Sequence, residues 1–251
     1  APLSGRPSLP PSRHASVPRQ GAAAQAALDE ARALIRADWP AEFQVLLLRR
    51  DGSAARDAGR YAEARALLRE ASRISAATGD WRLEVIDRGN LLDTLWLIGP
   101  IEEAACEAAK LIDELRTKPG GDSDMSTAFG NAMGILSEMG RIDEAVRAAR
   151  DVLPFMRRAR TYFVEEWAYL FWRRGQREAA ARLIGASDAQ CIKDDVPRQP
   201  NEERLIAQAR ADLEAVMGAE AFAGSLAAGA RLREAELFAL IAETLAQPAG
   251  E

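Results

Sequence analysis

The chain has 251 residues, of which 48% are apolar and 28% charged, with a net charge of −5 at neutral pH and a single histidine. This length and composition predict a globular protein with a sizeable core. A lone histidine argues against His-based catalytic triads and multi-histidine metal sites, the acidic charge argues against a nucleic-acid-binding surface, and no uncharged apolar run approaches the roughly 18 residues that span a membrane. We therefore expect no enzyme activity, no cofactor, no metal, no direct contact with nucleic acid and no membrane contact.

The first 20 residues differ in composition from the rest of the chain. Five of the twelve prolines lie within residues 1–20, together with three arginines, several serines and the histidine, His14. Proline-rich segments of this kind have little to bury and adopt extended, polyproline-like conformations. We predict a semi-rigid linker over residues 1–20, in which His14 is solvated.

From residue 21 onward the sequence is rich in Ala, Leu, Arg and Glu, which are the strongest helix formers. Apolar residues recur at helical spacing, and no segment shows the alternation typical of a strand. The pattern predicts an all-α fold that begins with a helix near residues 22–37. The segment QVLLLRR (44–50) fits a buried helix face.

Four segments share one pattern, in which a glycine is followed five residues later by an alanine. They are AGRYAEARALL (58–68), IGPIEEAACEA (98–108), MGRIDEAVRAA (139–149) and RGQREAAARLI (174–184). Each glycine is expected to end a helix in the left-handed conformation. Each small alanine then lets the following helix approach its neighbour closely. The repeat therefore predicts buried positions at Ala64, Ala104, Ala145 and Ala180, and the stripe continues four residues later at Leu68, Ala108, Ala149 and Ile184.

These segments resemble the tetratricopeptide repeat, whose second helix begins with a similar glycine, aromatic, acid and alanine pattern. The segments AGRYAEA and MGRIDEA are the closest matches. The loop glycines are 40, 41 and 35 residues apart, so the period is longer than the usual repeat of 34 residues. The resemblance implies a right-handed superhelix of about five antiparallel helix pairs, and Gly52 is expected to mark a tight helix contact in the first of them.

The period and the C-terminal third also resemble the repeat region of bacterial multidomain ATPase-type transcriptional regulators. The segment REAAARLIGASDAQ (177–190) is followed by a proline-containing loop and by a closing run with Gly218, Phe222 and Gly229. The resemblance implies a linker over 1–20, a tetratricopeptide-like array over 21–192 and a C-terminal helical capping unit over 193–251. It also implies ATPase and DNA-binding modules upstream, if the chain is part of such a regulator.

The first helices of stacked hairpins line a concave face, so their polar and aromatic residues are the candidates for partner binding. Counting back from each loop glycine, with the aromatic cluster before Gly175, gives the candidates Arg49, Arg50, Asn90, Trp96, Asn131, Tyr162, Tyr169 and Trp172. The two arginines form a basic end suited to a carboxylate. Peptide-binding tetratricopeptide domains, which the chain resembles, hold a peptide carboxylate with asparagine and basic side chains on these helices.

We expect a non-enzymatic protein-interaction or sensor domain of a bacterial regulator, with a protein or peptide partner. Two alternatives stay open. One is a receptor for a small molecule or signal peptide bound inside the superhelix, and the other is an oligomerisation scaffold, in which the partner is a second copy of the chain. Cys106 and Cys191 are too few for a disulfide framework. They predict small buried residues in a reducing compartment, so we expect a cytoplasmic protein.

Overall fold

A computed structural model gives the structure of the chain. It describes residues 26, 29, 30, 33 and 34 and the ranges 39–118, 123–159, 164–195 and 197–250. The five isolated residues are helical, and they are the part of the helix expected near 22–37 that is described. The predicted linker over 1–20 lies outside the described residues.

The expectation of an all-α protein is confirmed for the described ranges, which contain helices and no strand. Eleven helices lie in these ranges. They are α1 (Ala41–Asp57), α2 (Tyr61–Thr78), α3 (Trp81–Ile98), α4 (Ile101–Leu115), α5 (Ser123–Glu138), α6 (Ile142–Ala159), α7 (Val164–Arg173), α8 (Arg177–Asp194), α9 (Pro200–Met217), α10 (Ala219–Gly229) and α11 (Glu234–Ala246).

Three of the four loop glycines, Gly59, Gly140 and Gly175, end their helices as the repeat predicts, whereas Gly99 has a ψ angle of 171° and lies outside the left-handed helical conformation. Gly59 and Gly140 have φ angles of 74° and 73°, in the left-handed region that glycine enters without steric cost. At each loop the residue after the glycine donates its N–H to a carbonyl five residues back, from Arg60 to Ala55 (2.8 Å) and from Arg141 to Leu136 (2.9 Å). This is the Schellman arrangement, which satisfies the last carbonyls of a helix. The loop at Gly99 lacks that bond, because the next residue is proline and has no N–H.

The repeat alanines occupy the predicted buried positions. The side chains of Ala64, Ala104, Ala145 and Ala180 are all inaccessible to solvent. The stripe positions Leu68, Ala108, Ala149 and Ile184 are buried as well. Gly52 also lies at a tight contact, since a β-carbon there would be 2.7 Å from Cγ of Leu68. The close approach of the helices therefore requires small residues at these positions of the repeat.

Replacing Ala145 with leucine should lower the free energy of unfolding by about 1–3 kcal/mol, because three additional carbons must enter a closely packed helix contact. Urea denaturation followed by circular dichroism measures the change. The matched control is Ala62→Leu on α2, where the alanine is exposed and the two residues have similar helix propensities. Equal stability of the Ala145→Leu variant and the parent would contradict the packing described here.

From α1 to α10, every helix packs against the next one along the chain. The odd-numbered helices also form a contact series, α1 with α3, α3 with α5, α5 with α7 and α7 with α9. Helix α10 packs on α8, and α11 packs across α6, α7 and α8. The successive helix pairs therefore stack in order, and α9 and α10 extend the stack beyond the fourth pair.

The prediction that both cysteines are buried is wrong. Cys106 is exposed and Cys191 is half-buried. Cys106 follows Ala104 by two residues on α4, and this spacing turns its side chain about 200° away from the buried stripe. No helix in the described ranges combines the length and the apolar character needed to cross a membrane.

Candidate functional site

Arg49, a predicted partner-binding residue, is held in a buried polar cluster between the first helices. Its Nε donates to the carboxylate of Asp87 on α3 at 2.6 Å, and the Ser75 hydroxyl on α2 donates to the other oxygen of that carboxylate. Asp87 is completely buried, and the Arg49 side chain is mostly buried. A buried carboxylate needs such partners to offset its lost hydration. Arg49 therefore joins α1 to α3 through Asp87, whereas the sequence had suggested an open basic end.

Arg50, the neighbouring candidate, is exposed. The next link between these two helices comes from Arg56 on α1, which pairs with Asp93 on α3. Two of the arginines on α1 thus hold the first two pairs together. Arg50 differs from Arg49 in that its side chain is accessible to a partner.

The two candidate asparagines are both half-buried. Asn131 on α5 donates from Nδ2 to the carbonyl of Gly89 on α3 at 3.4 Å, so its side chain lies between two neighbouring helices. Asn90 lies on α3, and its carbonyl accepts a bond from the Thr94 hydroxyl. The contact of Asn131 favours a role in helix packing for this residue.

The prediction that Trp96 and Tyr169 are available to a partner needs correction, because both rings are buried. They meet edge to face with centroids 6.2 Å apart. Trp96 Nε1 donates to Glu138 at 2.7 Å, and the Tyr169 hydroxyl donates to the carbonyl of Glu202 on α9 at 3.0 Å. Burial, followed by the nearby Glu166 carboxylate, raises the pKa of Tyr169, so the hydroxyl stays protonated and keeps this bond.

The burial of the two rings follows from the position of α9 and from one glycine. Helix α9 packs on α7 and also contacts α3, and Arg204 of α9 pairs with Glu138 of α5. A β-carbon at Gly134 would lie 2.4 Å from the indole of Trp96, so this glycine makes room for the ring. The absence of a side chain at Gly134 was the signal for this burial that the sequence offered.

Trp172 is half-buried beside an open cleft of about 590 Å³ at the turn between α7 and α8. We call this the arginine cleft, and its polar and large side chains are Ile142, Trp172, Arg173, Arg174, Arg177, Asp212, Leu213 and Val216. The guanidinium carbon of Arg173 lies 5.6 Å from the centroid of the Trp172 ring. The C-terminal residues Ala249 and Gly250 form one wall. Tyr162, the remaining candidate, lies outside the described residues.

A second accessible surface lies on α1 and was missed by the sequence reasoning. Trp39, Phe43 and Leu46 are 37%, 50% and 44% exposed. Trp39 and Phe43 are in edge contact with centroids 5.5 Å apart. Phe43, Leu46 and Arg50 are spaced by three and four residues, so they share one face of the helix. We call these four residues the α1 patch.

The apolar run 44–50 obscured this surface, because it was interpreted as a single buried face. Val45 is indeed buried, whereas Leu46 points outward. Neighbouring residues on a helix differ in direction by about 100°, so a continuous apolar run covers more than one face. The period of the exposed residues was present in the sequence, but their exposure depends on which neighbours pack on α1.

In the described part of the chain, no group of three or more His, Cys, Asp or Glu side chains is arranged to hold a metal ion. Comparison of the chain with known protein families, with curated proteins and with solved structures gives no match. The α1 patch and the arginine cleft are the candidate binding sites in the described residues.

Proposed function

We propose that the chain is a non-enzymatic protein-interaction or sensor domain of a cytoplasmic bacterial transcriptional regulator, built as a right-handed, tetratricopeptide-like superhelix. If the chain is part of such a regulator, the ATPase and DNA-binding modules would lie upstream. The repeated loop geometry, the buried repeat alanines and the ordered stacking of helix pairs support this architecture. Stacked helical hairpins generally present extended surfaces for binding other proteins.

The α1 patch is the observation on which the proposed interaction depends. It brings together two aromatic rings, a leucine and an arginine on an accessible surface. Aromatic and arginine side chains dominate the energy of many protein interfaces. Large apolar residues grouped on a surface, with a charged residue at the border, are typical of an interaction site.

The partner chemistry follows from the same four residues. The rings and Leu46 would pack on apolar side chains, and Arg50 would receive a carboxylate, which matches its planar group of donors. Arg49 is occupied by Asp87, so Arg50 takes the role that the sequence suggested for both arginines. We therefore propose a protein or peptide partner that presents an apolar residue beside an acidic one.

Two single substitutions test this surface, Phe43→Ser and Arg50→Glu. The protein that co-purifies with the parent chain is identified and purified, and its dissociation constant is measured by calorimetry. Each substitution should raise that constant about tenfold or more, as expected for interface residues of these types. The melting temperature should stay close to that of the parent, because both side chains are accessible.

The matched control is Ile192→Ser on α8, which removes an apolar side chain that is 81% exposed outside the patch. It should leave the dissociation constant unchanged. If the control and the patch variants lost affinity equally, or if neither lost affinity, the α1 patch would be ruled out as the binding surface. Light scattering separates the scaffold alternative, since an oligomer of the parent that dissociates on Phe43→Ser would mean that the partner is a second copy of the chain.

A further inference from the structure

The arginine cleft lies at the opposite end of the helix series from the α1 patch, and the two proposals are independent. We propose that it binds a small organic anion, with the oxyanion head held by Arg174 and Arg173 and an apolar body placed along Val216 and Leu213. The cleft volume of about 590 Å³ falls in the range of roughly 300–1,000 Å³ typical of small-molecule sites.

The environment of Arg174 is the main support for this proposal. Arg174 lines the cleft and is only 8% exposed. Nη2 donates to the carbonyl of Gln247 at 2.7 Å, while Nη1 is buried and has no hydrogen-bond partner among the described residues. A buried guanidinium usually has an acidic partner, because its lost hydration is otherwise uncompensated. Because Nη1 is closed to solvent, an anion in the cleft would compensate the charge of Arg174 from the cleft side, and it would bond to Nη1 only after a small turn of the side chain.

The charges around Arg174 favour an anion. Desolvation, and then repulsion from Arg150, lower the pKa of Arg174, so its surroundings add positive charge to a buried positive group. Arginine nonetheless remains protonated at neutral pH. Arg173 and Arg177 line the same cleft, and Asp212 is the one acidic side chain among its described lining residues. The side chains that line the cleft therefore carry a net positive charge, although the protein as a whole is acidic.

The apolar part of the lining sets the second half of the ligand. Val216 is 59% exposed, although it is a large apolar residue. Leu213, Ile142 and the ring of Trp172 surround the same space. An inorganic anion alone would leave these side chains in contact with water, whereas an aliphatic or aromatic body would cover them. The ligand class is therefore a carboxylate or phosphate head on an apolar body.

The C-terminal residues fix the position of the arginines. Gly250 N–H donates to the carbonyl of Arg174 at 2.8 Å, and the Gln176 amide donates to the carbonyl of Thr244 at 2.7 Å. These bonds hold the end of α11 and the segment after it against the turn between α7 and α8. Such contacts favour a preorganised cleft.

The test uses four probes, octanoate, octyl phosphate, inorganic phosphate and 1-octanol, with binding measured by calorimetry and by tryptophan fluorescence. We expect saturable binding of octanoate or octyl phosphate at about millimolar concentration or below, weakened by salt. The tighter of these two probes identifies the head group. Inorganic phosphate and 1-octanol should bind at least about tenfold more weakly, since each lacks half of the recognised features.

Arg174→Gln should weaken binding about tenfold or more, as expected on loss of a charged hydrogen-bond donor. Because Arg174 also bonds to Gln247, its substitution could alter folding, so Arg173→Gln provides a second variant at an exposed position and should weaken binding in the same direction. The control is Arg73→Gln on α2, where the arginine is 68% exposed and pairs with Glu70, and it should leave binding unchanged. Trp172→Phe should remove most of the fluorescence change while calorimetry still detects binding.

Three results would overturn the proposal. They are no saturable binding of either amphipathic anion, equal binding by the parent and by both cleft variants, and binding of 1-octanol or inorganic phosphate as tight as that of the amphipathic anions. None of these results bears on the α1 patch, and failure of the Phe43 and Arg50 experiments would leave anion binding intact.

Discussion

Replacing Gly229 with alanine should lower the free energy of unfolding by about 3 kcal/mol or more. A β-carbon at this position would lie 1.8 Å from the carbonyl oxygen of Arg182 on α8. The obstructing atom belongs to the backbone of a helix and has no rotamer by which to move away. Helix α10 would have to shift on α8, and the contacts of Phe222 in the core would shift with it.

The same crossing can be tested from the other side. A β-carbon at Gly185 on α8 would lie 2.1 Å from the carbonyl oxygen of Leu226 on α10. Gly185→Ala should therefore destabilise the protein by a similar amount. Because the two glycines lie at one helix crossing, the double variant should lose less stability than the sum of the single losses, since one displacement of α10 relieves both clashes.

Gly224→Ala is the matched control for these substitutions. Gly224 lies in the same helix as Gly229 and is exposed, and beyond its own turn of helix no described atom lies within 4 Å of its would-be β-carbon. This substitution should raise the stability by up to about 1 kcal/mol, because alanine is the better helix former. Urea denaturation curves measure all four variants. If Gly229→Ala matched or exceeded the stability of the Gly224→Ala control, the close crossing of α8 and α10 would be disproved.

Replacing Asp87 with leucine should lower the free energy of unfolding by about 3 kcal/mol, because it leaves Arg49 without its carboxylate in a mostly buried position. The Ser75 hydroxyl loses the same acceptor. The comparison is Asp113→Leu, since Asp113 is 77% exposed and pairs with Arg116, the residue that follows α4. That exposed pair should contribute less than about 1 kcal/mol.

A double substitution separates the loss of the ion pair from the loss of packing. Arg49→Met combined with Asp87→Leu removes both charges and keeps apolar volume between α1 and α3. Replacement of a whole buried pair by apolar residues is often neutral, whereas removal of one member is strongly destabilising. We expect the melting temperature of the double variant to be close to that of the parent and well above that of Asp87→Leu. A double variant as unstable as the single one would mean that Asp87 acts through something other than Arg49.

The helix-ending glycines and the buried alanines could be predicted from the sequence because their signals are local. A glycine that ends a helix and an alanine five residues later are recognisable without knowing the neighbours, and Gly59 with Ala64 and Gly140 with Ala145 take the predicted conformation and burial. The tight contact at Gly52 was predictable for the same reason.

The candidate site was predicted less well, because exposure is a property of the assembled helices. Trp96 and Tyr169 have the composition of interface residues, yet α9 and the gap at Gly134 enclose them. Arg49 and Arg50 are adjacent and identical in type, and only the position of Asp87, 38 residues from Arg49, distinguishes them. Chemical type alone does not decide between a buried and an accessible role.

The sequence by itself determined the all-helical class, the positions of the helix-ending glycines and the close-packed alanines, since backbone preference and short-range periodicity fix them. Only the tertiary structure decided that Arg49 is paired, that α8 and α10 touch at Gly185 and Gly229, and that Arg174 is buried beside an open cleft. These features join residues far apart in the chain, and their energies depend on how much water the surrounding helices exclude, which no local pattern specifies.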